Sequence, residues 1–275
     1  MPEMFETRNK EDGVRLSGFI SAPEKPKAVM SLVHGFGEHC MRYVPMAEDL
    51  NAQGIAVVAI DLRGHGRSEG KRGVCRDYDL LRNDVSALLD MCRKHFPKLP
   101  HILYGHSMGG GLVLNYLLAH QQDDISAVIV SAPLLQLAEP IPVPLEWIVR
   151  GLRRVAPTAT LSQPIKGDKV SSLPDEQRAY EEDPLNHGRL GVRLAVDMIE
   201  AGQDTLGKAK SWRIPLLLMH ARNDQLTAFS GSEIFAKEAQ NCQFIPFDNV
   251  EHEMHNDSSR QDVYAAMRKF IKAQI

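Results

Sequence analysis

Short continuous apolar runs recur along the first half of the chain, and most are followed by a segment whose apolar residues keep helical spacing. Ala28 to Val33, Ile55 to Ile60, Ile102 to Tyr104 and Ile125 to Val130 are such runs. Apolar at consecutive rather than alternate positions, they read as strands buried on both faces. Tyr43, Ala47 and Leu50 mark a helix with Pro45 in its first turn and Gly54 as its stop. Leu81, Val85, Leu88, Leu89, Cys92 and Phe96 mark another, ended by Pro97. A third helical run extends from Gly110 to His120. This alternation predicts a parallel sheet with helices on both faces. Residues 4–21 alternate weakly and are broken by Asp12-Gly13, a two-residue hairpin signal, so they should add an antiparallel edge.

The rhythm breaks between Ala132 and Arg213. Pro133, Pro140, Pro142 and Pro144 precede an amphipathic run from Leu145 to Val155, and a second helical run covers Leu190 to Ala201. No strand pattern returns until Ile214 to Met219; strand Gln243 to Phe247 follows, then a helix with Val263, Met267, Phe270 and Ile271 on its apolar face. The reading is one α/β domain over residues 1–275 with a helical cap inserted at residues 134–212.

Composition narrows the class of protein. At 275 residues, 43% hydrophobic and 24% charged, the chain has an ordinary soluble globular make-up. A formal net charge of -3 offers no electrostatic reason for a nucleic-acid partner. Cys40, Cys75, Cys92 and Cys242 are scattered without a C-x-x-C pair, which suggests reduced structural thiols. The N-terminus lacks a basic segment followed by an apolar one, and no apolar run is long enough to span a bilayer. A soluble, cytosolic protein is expected.

Gly105-His106-Ser107-Met108-Gly109 stands between a strand and a helix. That context makes it a nucleophile elbow, a turn so sharp that the serine hydroxyl stands clear of the sheet. A serine nucleophile needs a base, and the base an orienting carboxylate. In this kind of sheet their chain order is serine, acid, histidine. Asp224 follows the strand Ile214 to Met219, and His252 follows the last strand, so both match in order and placement. An oxyanion hole needs two backbone N–H donors. Met108, next after the serine, supplies one, and Phe36 in His34-Gly35-Phe36-Gly37 is placed to supply the other.

Other motifs fail on spacing. His252-Glu253-Met254-His255 is one residue short of the zinc helix H-E-x-x-H. In the glycine-rich loop from Gly64 to Gly73, His65 and Arg72 stand where a phosphate-binding loop needs glycine and Ser or Thr. Gly109-Gly110-Gly111 fits no dinucleotide fingerprint. No metal or organic cofactor is implied.

Taken together, these residues resemble the α/β-hydrolase superfamily, and within it the monoacylglycerol lipase and lysophospholipase group of serine hydrolases. The resemblance rests on His34-Gly35-Phe36-Gly37-Glu38-His39 with Arg42-Tyr43, on Asp61 and Gly64 to Gly70, on Gly105 to Gly109, on Ser131-Ala132-Pro133-Leu134, and on Asp183-Pro184-Leu185. It implies the α/β-hydrolase fold, the triad Ser107, Asp224 and His252, and the oxyanion donors Phe36 and Met108. It also favours His252 over His255 as the base. By the same resemblance Glu38, Arg42, Tyr180, His255 and Glu176 match the polar groups that hold a glycerol head. Phe36 departs from the lipase pattern, which has a small residue there, while Arg63, Lys71 and Arg72 look more like lysophospholipase relatives.

The expected function is hydrolysis of a lipid carboxylic ester, first of all monoacylglycerol, through an acyl-enzyme on Ser107. Lysophospholipids and short-chain esters are the alternative substrates. A ligand-binding protein on a hydrolase fold is the non-catalytic alternative, against which the complete triad argues. The cap would line an acyl channel, and Leu145, Trp147, Ile148 and Val149 with Arg150, Arg153 and Arg154 offer a transient contact with a membrane surface.

Overall fold

The structure is a computed structural model that describes residues 2–120 and 124–275, and within them not the side chains of residues 143–146. In chain order its elements are β1 (Glu3–Arg8), β2 (Arg15–Ser21), β3 (Ala28–Val33), α1 (Val44–Ala52), β4 (Ile55–Ile60), α2 (Tyr78–His95), β5 (His101–His106), α3 (Met108–Ala119) and β6 (Ile125–Ser131). Then come α4 (Val143–Val155), β7 (Thr160–Ser162), α5 (Gly167–Val170), α6 (Pro174–Glu182), β8 (Arg189–Gly191) and α7 (Val192–Gly207). The chain closes with β9 (Leu216–Ala221), α8 (Phe229–Glu238), β10 (Cys242–Phe247) and α9 (Arg260–Lys272).

Eight strands form one sheet in the order β1-β2-β4-β3-β5-β6-β9-β10. From β4 to β10 neighbouring strands run parallel, while β1 and β2 are antiparallel. Both faces are covered, as consecutive apolar positions predict. Along β3, Val29 and Val33 face a core built with α2 and α3, whereas Ala28, Met30 and Leu32 face one built with α1 and α9. The pairings Val33↔Ile60, Val33↔Gly105, His106↔Ser131 and Ser131↔Met219 bring the carboxyl ends of β3, β4, β5, β6 and β9 to one edge. Ligands of parallel sheets bind at that edge.

Three local expectations change. Asp12-Gly13 is not a two-residue turn: Arg8 pairs with Arg15, so residues 9–14 all belong to the connection, with Asn9 N–H donating to Val14 O at 2.9 Å. The stretch between β6 and β9 is not purely helical, because β7 and β8 pair antiparallel within it. Helix α7, expected in the cap, packs on the body. Leu194, Met198 and Ala201 belong to the same core as α3, and Asn115 Nδ2 donates to Thr205 Oγ1 at 3.0 Å. Among the described residues no helix is long and apolar enough to cross a membrane.

Candidate active site

Ser107 sits between the last residue of β5 and the first of α3 with φ 53 and ψ -119, a backbone conformation a side chain enters only under strain. Neighbouring carbonyls hold it there. Its N–H donates to Ser131 O at 2.9 Å, and its own carbonyl accepts from Leu134 N–H at 2.9 Å and Gly111 N–H at 3.0 Å. The flanking glycines are steric requirements: a methyl group on Gly105 would lie 2.5 Å from Gly109 O, and one on Gly109 2.4 Å from His34 O. Met108 opens α3, so its N–H has no carbonyl one turn back within the helix. The turn after β3 is packed against the serine, since a methyl on Gly35 would stand 3.1 Å from Ser107 Cβ.

Asp224 and His252 meet beside this turn, the His252 ring 4.7 Å from that of His106. Asp224 Oδ2 lies 2.6 Å from His252 Nδ1. A carboxylate only accepts, so Nδ1 carries the proton and Nε2 is left with the lone pair. The carboxylate is itself held: Oδ1 accepts from Leu226 N–H at 2.8 Å and Thr227 N–H at 3.0 Å, and Oδ2 from the Thr227 hydroxyl at 2.9 Å. His220 Nε2 lies 3.1 Å from the same Oδ2, and its Nδ1 is 2.7 Å from Ser232 Oγ. Burial opposes ionisation of Asp224, but the positive character of His252 and the hydrogen bonds of His220 and His252 outweigh it and hold the carboxyl well below the ordinary value. Burial likewise works against a charged His252; the Asp224 charge and hydrogen bond win, and its pKa rises.

Beside this pair lies a buried polar cluster. Glu38 Oε1 accepts from Gly35 N–H at 2.6 Å and from the Tyr43 hydroxyl at 2.8 Å. Arg42 bridges two carboxylates, with Nε 3.3 Å from Glu38 Oε2 and Nη2 2.5 Å from Glu253 Oε2. One guanidinium between two buried acids leaves one acid under-compensated. Burial and the charge of Glu253 raise Glu38 to about 7, while Arg42 overcomes burial to hold Glu253 below its usual range. His255 stacks on Tyr43 with ring centroids 4.8 Å apart, and burial lowers it to about 4. Tyr180 lies under Arg42, whose guanidinium carbon is 4.8 Å from the ring centroid.

Four of the five expected head-group residues, Glu38, Arg42, Tyr180 and His255, are thus brought together. Glu176 is instead ion-paired with Arg260, whose Nε donates to His255 O at 3.1 Å. Arg63 is also elsewhere: its Nη2 lies 2.8 Å from Asp84 Oδ1 and its Nη1 2.6 Å from Asp12 Oδ2, so it ties the β1–β2 connection to α2. Lys71 Nζ donates to Thr158 O at 3.0 Å. Asp183 of the Asp-Pro-Leu motif meets His39 Nε2 at 2.8 Å.

Sequence reasoning missed His220, Thr227 and Glu253 as supporting groups. His220 carried a faint signal, an inward position on β9 four residues before Asp224; the others carried none. Glu38, His106 and Glu253 place donor atoms within 4.8 Å of one another. The residues present do not fit a metal ion, because Arg42 already supplies the positive charge between the two acids.

Two clefts border the excursion between β6 and β9, the smaller one reaching Ala228 and Ser230 at the start of α8. An apolar one of about 370 Å³ is lined by Leu135, Leu137, Ile141, Val149, Val196 and Ile199, and it starts one residue beyond Leu134, which is bonded to Ser107 O. A larger one of about 1020 Å³ is lined by Trp147, four arginines and Glu200 and touches none of the triad, oxyanion or head-group residues. Trp147, Ile148 and Val155 on α4 are exposed; the side chain of Leu145 lies outside the described residues.

A mostly parallel sheet with helices on both faces and a strained serine at the carboxyl end of a central strand defines an α/β-hydrolase. Within that class the chain belongs to the Hydrolase_4 family, described as serine aminopeptidase S33, which matches residues 24–259. It is 31% identical to a monoacylglycerol lipase of Mycolicibacterium smegmatis, over 96% of this chain and 95% of the relative. It is 27% identical to phospholipase YtpA of Bacillus subtilis, over 92% and 98%. Among solved structures, the monoacylglycerol lipase of Paleococcus ferrophilus superposes with a TM-score of 0.84 at 27% identity, covering 94% of this chain and 99% of that one. These likenesses place the chain among the ester-hydrolysing members of the fold.

Proposed function

We propose that the chain hydrolyses monoacylglycerols to fatty acid and glycerol through an acyl-enzyme on Ser107. Ser107 Oγ attacks the ester carbonyl while His252 Nε2 takes its proton, and Asp224 holds the imidazole tautomer. The amides of Phe36 and Met108 take the developing oxyanion, each worth about 3 kcal/mol of barrier. His252 then gives its proton to the departing glycerol oxygen, and water reverses the sequence to release the acid. The observation that carries this reading is the strained Ser107 on the same sheet edge as the buried Asp224–His252 pair.

Residues 134–212 form the cap in this reading, with α7 as its anchor, and the apolar cleft along Leu135, Ile141 and Ile199 takes the acyl chain. The head-group preference follows from charge. The cluster of Glu38, Arg42 and Glu253 has no spare cation, and Arg63 is spent on Asp84 and Asp12. A neutral glycerol suits such a cluster, and the phosphate of a lysophospholipid does not. The under-compensated acid, Glu38, is held by burial and by Glu253 toward its neutral form, which suits a hydroxyl better than the free amine of an aminopeptidase substrate. The exposed Trp147 and Ile148 supply a peripheral contact with the lipid surface.

A panel of monoacylglycerol, lysophosphatidylcholine, nitrophenyl butyrate and an aminoacyl anilide tests the reading. Monoacylglycerol is expected to give the highest kcat/KM; a preference for the lysophospholipid or the anilide would overturn the head-group assignment. Vesicle sedimentation of wild type and a Trp147→Ser/Ile148→Ser variant tests the surface contact, and equal sedimentation of the two would remove it.

A further inference from the structure

We propose that His187 is a positioning residue for the oxyanion loop, holding residues 35–38 in the shape that presents the Phe36 amide to the substrate carbonyl. This rests on the esterase reading above and adds to it a residue outside the triad and outside both amide donors.

The loop is tied at both ends by histidines. From inside, His34 Nδ1 is 2.7 Å from Gly35 O while its Nε2 accepts from Leu62 N–H at 2.9 Å. Gly35 C=O and Phe36 N–H share one peptide plane, so that contact sets the direction of the amide. The next free plane is that of Gly37, and His187 holds it: its backbone N–H donates to Gly37 O at 2.8 Å.

The imidazole of His187 fixes that backbone in turn. Nε2 lies 3.0 Å from Gly64 O, and Nδ1 lies 3.3 Å from Arg189 N. A carbonyl only accepts and an amide only donates, so both contacts agree on one tautomer, with the proton on Nε2. The ring also stands edge-on to Phe36 with centroids 5.7 Å apart and lies 4.8 Å from His65, which meets Phe36 edge-on at 5.8 Å. Phe36 is therefore gripped through its ring while its neighbours are held through their carbonyls.

This close approach accounts for two glycines, Gly37 in the oxyanion loop and Gly73 in the loop that fitted no phosphate-binding pattern. Gly37 has φ 77, and a methyl group there would stand 2.5 Å from His187 O. Farther along, Gly191 N–H donates to Gly73 O at 2.8 Å, and a methyl on Gly73 would collide with Arg189 O. Residues 187–191 thus lie as a strap across two glycine-bearing loops, one of them the oxyanion loop.

The test compares three variants by steady-state hydrolysis of nitrophenyl butyrate and by the affinity of a trifluoromethyl ketone, whose adduct mimics the tetrahedral oxyanion. His187→Ala should lower kcat about ten-fold and weaken the ketone by a similar factor, because a misplaced donor costs less than a deleted one, while KM changes less than about two-fold. His187→Gln places an amide N–H near the position of Nε2 and should recover most of both losses. His187→Asn is too short to reach Gly64 O and should behave like alanine. If the alanine variant fails to fold, the Gln and Asn pair carries the comparison. Ketone affinity unchanged, or Gln no better than Asn, would overturn the proposal while the esterase reading stands. A wild type that fails to react with a fluorophosphonate would overturn that reading and this one with it.

Discussion

Glu253 Oε2 lies 2.5 Å from Arg42 Nη2, a buried ion pair that joins the loop after β10 to the turn after β3. The same guanidinium faces Glu38, so the charge of Glu253 is one reason that Glu38 holds its proton up to about 7. Glu253→Gln removes that charge and leaves Arg42 to Glu38 alone. The Glu38 pKa should then fall, and the infrared band of a protonated carboxyl expected near neutral pH in the wild type should be absent from the variant. A band that persists in the variant would place the proton on another group.

The Asp224–His252 pair makes both rate and stability depend on pH. The base must be neutral to act, and its pKa is raised above the ordinary 6.5, so kcat/KM should rise with pH through a midpoint above that value. The stabilisation from His252 is full below the unfolded value of 6.5 and is lost as pH rises through the folded one; that from Asp224 is present above 3.8 and is lost as pH falls through its depressed value. Asp224→Asn should move the rate midpoint down and lower the plateau by about 10⁴. The pH–rate profile of both proteins on a soluble ester checks this.

Thr227 donates to Asp224 through its hydroxyl and is 3.1 Å from Ala132 O. The hydroxyl has one proton to serve these two acceptors, so Thr227→Val keeps the shape and loses one donated bond beside the buried Asp224 carboxylate. It should cost about 1–3 kcal/mol of stability and slow turnover through a looser Asp224. Chemical denaturation alongside kcat measures the two effects.

Arg63 tests the distinction between structure and specificity. Arg63→Met leaves Asp84 buried without its partner and should destabilise the fold by about 3–5 kcal/mol. The ratio of monoacylglycerol to lysophospholipid turnover should stay unchanged; a shift in that ratio would mean that Arg63 reaches the substrate.

The sheet and the candidate nucleophile were legible because each imposes a local chemical requirement. Doubly buried strands are apolar at nearly every position, Ser31 of β3 being paired with His101, and the turn at Ser107 tolerates nothing larger than glycine at 105 and 109. Asp224 and His252 were legible by position at strand ends. The short strands β7 and β8 were not, since three residues carry no periodicity, and α8 buries Phe235 as its one large side chain and shows little amphipathic stripe. The place of Glu253 beside Glu38 and Arg42 was hidden for another reason: Arg42 and Glu253 are 211 residues apart, and no local pattern marks a pair that only the fold creates.

The central claim is that Ser107 forms an acyl-enzyme with a monoacylglycerol. The most direct measurement is intact-mass analysis after a fluorophosphonate pulse, with peptide mapping, alongside monoacylglycerol hydrolysis by wild type and Ser107→Ala. The account predicts one adduct on Ser107, and in the folded variant no adduct and a rate lowered about a million-fold or to background. An adduct elsewhere, or a variant that keeps most of its turnover, would contradict it.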